Sequence, residues 1–159
     1  ASSGAHAPMP KAYLSLGSNQ EPEKHLAAAV QALRDAFGDI VLSDWVRTKA
    51  VGFDGPDFIN GAAIIETDWD VFTLDKWLHA LEDQHGRRRG VPRFSDRTLD
   101  IDIIFFDDLI IDGPGNLRIP RPELKYAFVL GPLAQIAPDY VDPVSGLSMV
   151  KMWHAIDPP

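Results

Sequence analysis

The 159-residue sequence contains no cysteine. That absence excludes a disulfide framework, a thiolate nucleophile and thiolate metal sites together, and it suits a reducing compartment. Long apolar runs are also missing: none approaches the roughly 18 residues that read as a membrane span. The opening stretch ASSGAHAPMP lacks the basic start and apolar core of a secretory signal. Residues 1–10 are therefore read as disordered or extraneous, with one domain expected over residues 11–159. The cytoplasm is the default location and a monomer the default state. Basic residues are scarce: 15 Lys and Arg stand against 23 Asp and Glu, a net charge of −8. Nucleic-acid binders need a basic footprint, so nucleic acid is not an expected partner, and neither is a membrane. There is no internal repeat, low-complexity tract or linker. A chain of this length fits one domain, and folding it buries about 70% of the surface the unfolded chain exposes.

The few basic residues are unevenly placed. Of nine arginines, five (Arg87, Arg88, Arg89, Arg93 and Arg97) lie between positions 87 and 97. One basic segment in an acidic chain suits a small polyanionic ligand better than a long one, although a solvated charged loop explains the same feature.

The pattern along the chain predicts alternating elements. Residues 12–16 (AYLSL) read as a strand ended by the turn cluster Gly17-Ser18-Asn19. Pro22 suits a helix start, and Leu26, Ala29, Val30, Leu33 and Phe37 recur at helical spacing before Gly38. Residues 40–47 and 58–66 read as two further strands, with Gly61 marking a bulge or a close backbone approach. Asp68 or Asp70 caps a second helix, with Val71, Leu74, Trp77, Leu78 and Leu81 as its apolar stripe and Gly86 as its stop. The arginine loop follows, then the strand 99–106 (LDIDIIFF), a short hairpin at 109–119 and a short apolar helix at 128–136. Strand, helix, strand, strand, helix, strand is the order of a ferredoxin-like α+β sandwich. That fold has a mainly antiparallel sheet with its helices on one face, which leaves the other face for a ligand.

Side chains alternate along a strand, so Asp100 and Asp102 share one face while Leu99, Ile101 and Ile103 point into the core. Their backbone positions lie about 7 Å apart. Two carboxylates so placed can converge on Mg²⁺, which takes one or two carboxylates and fills its remaining positions with water and substrate phosphates. The neighbouring guanidinium groups can chelate phosphate oxygens, and metal plus arginines neutralises a phosphoryl group in transfer. Neither feature is specific alone, since paired strand aspartates often form a wet sheet face. Their adjacency in RFSDRTLDIDII is the stronger signal. Other motifs are missing. Gly17-Ser18-Asn19 is not a phosphate-binding P-loop, because the Gly-Lys-Ser/Thr ending is absent. The histidines His25, His79 and His154 show no metal spacing, and Trp45, Trp69, Trp77 and Trp153 read as packing residues.

Residues 97–104 (RTLDIDII) resemble the signature of the 6-hydroxymethyl-7,8-dihydropterin pyrophosphokinases, and the resemblance runs along nearly the whole chain. Residues 13–19 (YLSLGSN) are similar to the family's first strand and turn. Residues 56–60 (PDFIN) are similar to its pterin-side segment, and 82–87 to its helix end. Residues 127–130 with Pro132-Leu133 and Ile136-Ala137-Pro138 are similar to its C-terminal region. The resemblance implies a ferredoxin-like fold and transfer of pyrophosphate from ATP to the hydroxymethyl group of a reduced pterin, with release of AMP. It implies that Asp100 and Asp102 hold two Mg²⁺ ions, and that Arg87 and Arg97 act catalytically on the transferring phosphates. Glu82, Arg89, Arg93, Thr98, Ile103 and Arg121 would join Arg87 and Arg97 in binding ATP. Thr48, Val51, Phe58, Asn60, Phe94 and Phe128 would bind the pterin, with Phe58 and Phe128 sandwiching its rings. Residues 86–95 would form a lid.

The sequence departs from the family pattern at several places. Phe94-Ser95-Asp96 stands where the family has Trp-Gly-Pro, and Pro120-Arg121-Pro122 where it has Pro-His-Pro. Tyr126 stands where an arginine is usual, and Lys49-Ala50 where the family has Pro-Pro. The metal pair is untouched by these changes. They leave open a divergent paralogue acting on another pterin, a non-catalytic pterin- or nucleotide-binding domain, and a two-metal phosphohydrolase.

Overall fold

The computed structural model describes residues 9–49, 55–86, 98–115 and 117–157. Its central sheet is antiparallel throughout, in the order β2-β4-β1-β5, with β3 also pairing β4. The strands are β1 (Lys11–Ser18), β2 (Val41–Leu42), β3 (Val46–Thr48), β4 (Phe58–Glu66) and β5 (Asp100–Phe106). Helix α1 (Pro22–Phe37) links β1 to β2, and α2 (Val71–Gln84) lies between β4 and β5. Each helix thus carries the chain past one intervening strand, β4 for α1 and β1 for α2, the connectivity of the ferredoxin-like sandwich.

The helices form where the residue pattern favours them. Pro22 opens α1, Leu26, Ala29 and Leu33 are buried along one side, and Gly38 closes the helix with φ +82°, its N–H donating to the Arg34 carbonyl. That left-handed conformation is cheap only for glycine. Of the two expected caps for α2, Asp70 is the one used: its carboxylate accepts the Thr73 N–H at 2.8 Å. Val71, Leu74, Leu78 and Leu81 face the core.

The expected strand at residues 40–47 is two short strands. Between them Ser43 turns aside, its hydroxyl accepting the Ala62 N–H at 2.8 Å. The Trp45 ring lies over Gly61, where a Cβ would sit 2.6 Å from it. Gly61 is therefore the close-approach glycine of the two alternatives, and the indole is what the strand interruption accommodates.

A second correction concerns the sheet faces. One face carries Ala12, Leu14, Leu16, Ala63, Ile65, Ile101 and Ile103 and packs against α1 and α2. The other face is not left free. Tyr13, Ala62, Ile104 and Phe105 form a second core with α3 (Ala127–Ile136) and α4 (Met149–Ile156). A bulge in β5 makes this possible. Tyr13 pairs with Phe105 and Leu14 with Ile103, so Ile104 is the extra residue and both Ile104 and Phe105 turn to the second core. Helix α4 escapes sequence reading because it is eight residues long. It is capped by Ser148, and its Trp153 lies against Gly131 of α3. Strands β6 (Ile111–Asp112) and β7 (Arg118–Ile119) form the expected hairpin, and a 3-10 turn (Pro122–Lys125) leads into α3. No helix among the described residues is long and apolar enough to cross a membrane.

Candidate active site

The second core covers only part of its sheet face. At its edge the register lines up two rows across the sheet. Asp102 lies opposite Ser15, which lies opposite Ala62, and Asp100 lies opposite Gly17, which lies opposite Asn60. Asp100 and Asp102 are half-buried on this face, while Ile101 and Ile103 between and beyond them are buried against α1 and α2. The carboxylates thus sit side by side on β5, and the glycine of the middle strand separates them from Asn60.

Gly17 is required for that arrangement. A Cβ there would come within 2.6 Å of Asn60 Oδ1, so the amide side chain occupies the space a larger residue would take. Asn60 is 5% exposed, and its amide donates to Thr48 Oγ1 at 3.0 Å. A buried amide held at one end still offers donor and acceptor capacity to a flat polar ligand. Phe58 pairs with Thr48 and points to the same face as Asn60, two residues away. Helix α3 packs over β4 and β3, which places Phe128 of its first turn on this face of the sheet. The Phe128 ring stacks on Tyr126, with centroids 5.3 Å apart and planes 7° from parallel.

On the carboxylate side, Arg121 is the cation that the described residues bring to Asp102 and Glu123. Its Nη2 and Nε donate to Glu123 Oε2 at 3.0 and 3.3 Å, and Nη2 lies 3.7 Å from Asp102 Oδ1. Burial by itself would favour loss of its proton. The carboxylates of Asp102, Glu123 and Asp100 outweigh that effect and hold the guanidinium charged, above its ordinary range. The Arg121 backbone N–H donates to the Ile104 carbonyl at 3.2 Å, so the residue is fastened to β5 just past Asp102.

Glu82, expected on the ATP side, also braces the strand. It is 2% exposed on α2 and accepts the Ile101 N–H at 2.9 Å, between the two aspartates. It therefore fixes the strand that carries the carboxylates. The Ile103 side chain is buried in the first core, so only its backbone is available to a nucleotide. Thr98 Oγ1 is the single buried side-chain polar atom among the described residues without a hydrogen-bond partner. Glu123 and Tyr126 are site residues that sequence reasoning did not assign. The Arg-Pro-Glu spacing at 121–123 was the available signal for Glu123. Arg87, Arg89, Arg93, Arg97, Phe94, Val51 and most of the expected lid at 86–95 lie outside the described residues.

The donor set fits a hard divalent cation. Two carboxylates on one strand face supply what Mg²⁺ takes from a protein when phosphates and water provide the rest. Among the described residues no group of three or more histidine, aspartate and glutamate side chains could hold an ion alone.

A ferredoxin-like sandwich with paired carboxylates and an arginine on one side, and an amide-hydroxyl pair with aromatic rings on the other, defines a class. Its chemistry suits a phosphorylated ligand beside a flat, polar one. The profile of the 7,8-dihydro-6-hydroxymethylpterin-pyrophosphokinase family matches residues 13–138, and the chain belongs to that family. It is 37% identical over 150 residues to the 2-amino-4-hydroxy-6-hydroxymethyldihydropteridine pyrophosphokinase of Synechocystis sp., spanning 92% of this chain and 76% of that protein. The enzyme of the same name from Pseudomonas aeruginosa is 36% identical over 138 residues, 81% of this chain and 82% of that one. In three dimensions the chain is similar to the HPPK-DHPS of Plasmodium falciparum, with a TM-score of 0.69 at 13% identity. That match covers 96% of this chain and 46% of the longer one, and at such identity it speaks for the fold alone.

Proposed function

We propose that this chain transfers the pyrophosphoryl group of ATP to 6-hydroxymethyl-7,8-dihydropterin, giving AMP and the pterin diphosphate, as its relatives' names describe. The hydroxymethyl oxygen forms a bond to the β-phosphorus of ATP. The bond from that phosphorus to the oxygen bridging it to the α-phosphate breaks, AMP leaves with the electron pair, and the hydroxyl proton is released. Transfers of this kind ask little covalent chemistry of a protein, so positioning and electrostatics carry the rate. Asp100 and Asp102 would hold Mg²⁺, taken as two ions, and bound Mg²⁺ supplies charge neutralisation for the polyphosphate. Asn60 and Thr48 orient the pterin edge, Phe58 and Phe128 face its rings, and Gly17 lets Asn60 sit beside the carboxylate row. Arg121 takes the phosphate side together with Arg87, Arg89, Arg93 and Arg97, with Arg87 and Arg97 on the transferring group.

The observation that carries the reading is the register across Gly17, which sets Asp100 one intervening strand away from the buried Asn60 and its half-buried partner Thr48. A monomer working in the cytoplasm without nucleic-acid or membrane partners belongs to the same reading. The net charge of −8 supports its nucleic-acid part. The test is AMP production from ATP and Mg²⁺ with and without the pterin. AMP that appears only with the pterin is the expected result. Phosphate release from ATP without any pterin would overturn the reading in favour of a hydrolase.

A further inference from the structure

The acidic cluster contains its own cation. Among the described residues, the guanidinium of Arg121 lies against the carboxylates of Glu123 and Asp102, with Asp100 in electrostatic reach. The two ends of this arrangement are not equivalent. Toward Glu123 the guanidinium makes two hydrogen bonds, at 3.0 and 3.3 Å. Toward Asp102 it stands at 3.7 Å, which is ion-pair range and too long for a hydrogen bond. All three side chains are partly shielded: Arg121 is 20% exposed, Asp102 25% and Glu123 18%. Water therefore screens these charges only in part. The Arg121 backbone is tied to the Ile104 carbonyl, so the residue cannot leave the cluster. Only its head group can choose among the oxygens within reach.

We propose that Arg121 and the divalent metal compete for Asp102, and that Glu123 is the seat onto which Arg121 withdraws when the metal takes that carboxylate. The proposal rests on the metal reading of Asp100 and Asp102. Its physical basis is charge. A guanidinium stays protonated at any working pH, so it cannot yield by losing a proton and must move. A cation on Asp102 repels it, Glu123 already holds it by its stronger bonds, and the phosphates of an arriving nucleotide offer a second anionic partner. Glu123 is thus a positioning residue acting through Arg121. The arrangement makes a specific demand: Arg121 should oppose metal binding in the protein alone and favour nucleotide binding. A residue that merely supports the fold would shift both affinities in the same direction.

The experiment uses the full chain and two probes, Mn²⁺ followed by electron paramagnetic resonance and α,β-methylene-ATP followed by calorimetry. Folding of every variant is checked by circular dichroism. Arg121→Gln should tighten Mn²⁺ binding without nucleotide by about 5- to 10-fold and weaken analogue binding by a similar factor, the scale of coupling between two sites. Arg121→Lys, which keeps the charge without the planar fork, should fall between Gln and the unaltered chain. Glu123→Gln should weaken Mn²⁺ binding in the unaltered chain, and most of that loss should vanish in the Arg121→Gln background, because Glu123 acts through the guanidinium. An unchanged or weakened Mn²⁺ affinity in Arg121→Gln would overturn the proposal, as would a Glu123→Gln effect that persists without Arg121. Asp102→Asn separates this from failure of the underlying reading. If that variant binds Mn²⁺ normally in the presence of the analogue, the metal assignment itself falls.

Discussion

At the scale of single residues, the site separates groups that contact substrate from groups that hold them in place. On the proposed reading Asp100 and Asp102 belong to the first kind, through the metal they would hold. Replacing either with Asn should lower turnover by at least about 100-fold, the size of effect seen when one preorganised electrostatic contact is removed. The half-buried setting of both should leave the melting temperature within a few degrees of the parent. Glu82 belongs to the second kind. Glu82→Leu strands the buried Ile101 N–H, which should cost about 1–3 kcal/mol in urea unfolding and lower turnover through misplaced aspartates. His25 and His85, sixty positions apart, meet at 2.7 Å through their Nδ1 atoms. One must donate and the other accept, so a doubly protonated pair loses the bond. Burial, then the charges of His25 and Lys24, lower the pKa of His85 below the ordinary 6.5. The folded chain therefore binds fewer protons here than the unfolded one, and stability rises with pH across this window. The contribution is complete above about 6.5 and is lost as pH falls through the lowered value. Thermal melts between pH 7.5 and 5 should show this slope, and His85→Gln should flatten it.

At the scale of elements, the strand pairing does what no single strand can. The pair of aspartates is written on β5, but their neighbour Asn60 is supplied by β4 and the gap between them by β1. Gly17→Ala tests this directly. The added methyl would crowd Asn60 Oδ1 at 2.6 Å, push the amide off Thr48, and should raise the pterin KM about 10-fold or more with a smaller effect on the ATP KM. Equal changes in both would place Asn60 elsewhere in the reaction. The interrupted strand at 41–48 shows the same dependence on neighbours. The sequence at 40–47 reads as one strand, and the structure has two, with Trp45 between them lying over Gly61 of the adjacent strand.

At the scale of the whole molecule, one sheet serves two cores. Leu78 anchors the core under α1 and α2, and Met149 the core under α3 and α4; both are essentially unexposed. Because β1, β4 and β5 contribute residues to each, the two cores should unfold together. Leu78→Ala and Met149→Ala should each cost about 2–5 kcal/mol and shift one transition, with tryptophan fluorescence and far-ultraviolet dichroism coincident. Two separated transitions would show that the C-terminal helices fold as an independent layer. The second core also bears on the proposed function, because α3, which builds it, carries Phe128 onto the same sheet face as Asp100 and Asp102.

The alternation of LDIDII, the helical spacing of α1 and α2 and the order of elements were sufficient to determine the sandwich and the shared face of Asp100 and Asp102. Those are local properties, fixed by the periods of strand and helix. The resemblance to the pterin pyrophosphokinases also carried Asn60, Thr48 and Phe58 as candidates, but not why Asn60 can lie beside the carboxylates. That depends on the missing Cβ of Gly17 in another strand. Tertiary structure alone decided that Arg121 comes within reach of Asp102, that Glu82 holds the Ile101 backbone, that His25 finds His85, and that a bulge at Ile104 turns the second sheet face into a core. Each is a contact between distant segments, governed by register and packing across the sheet rather than by the preferences of the residues involved.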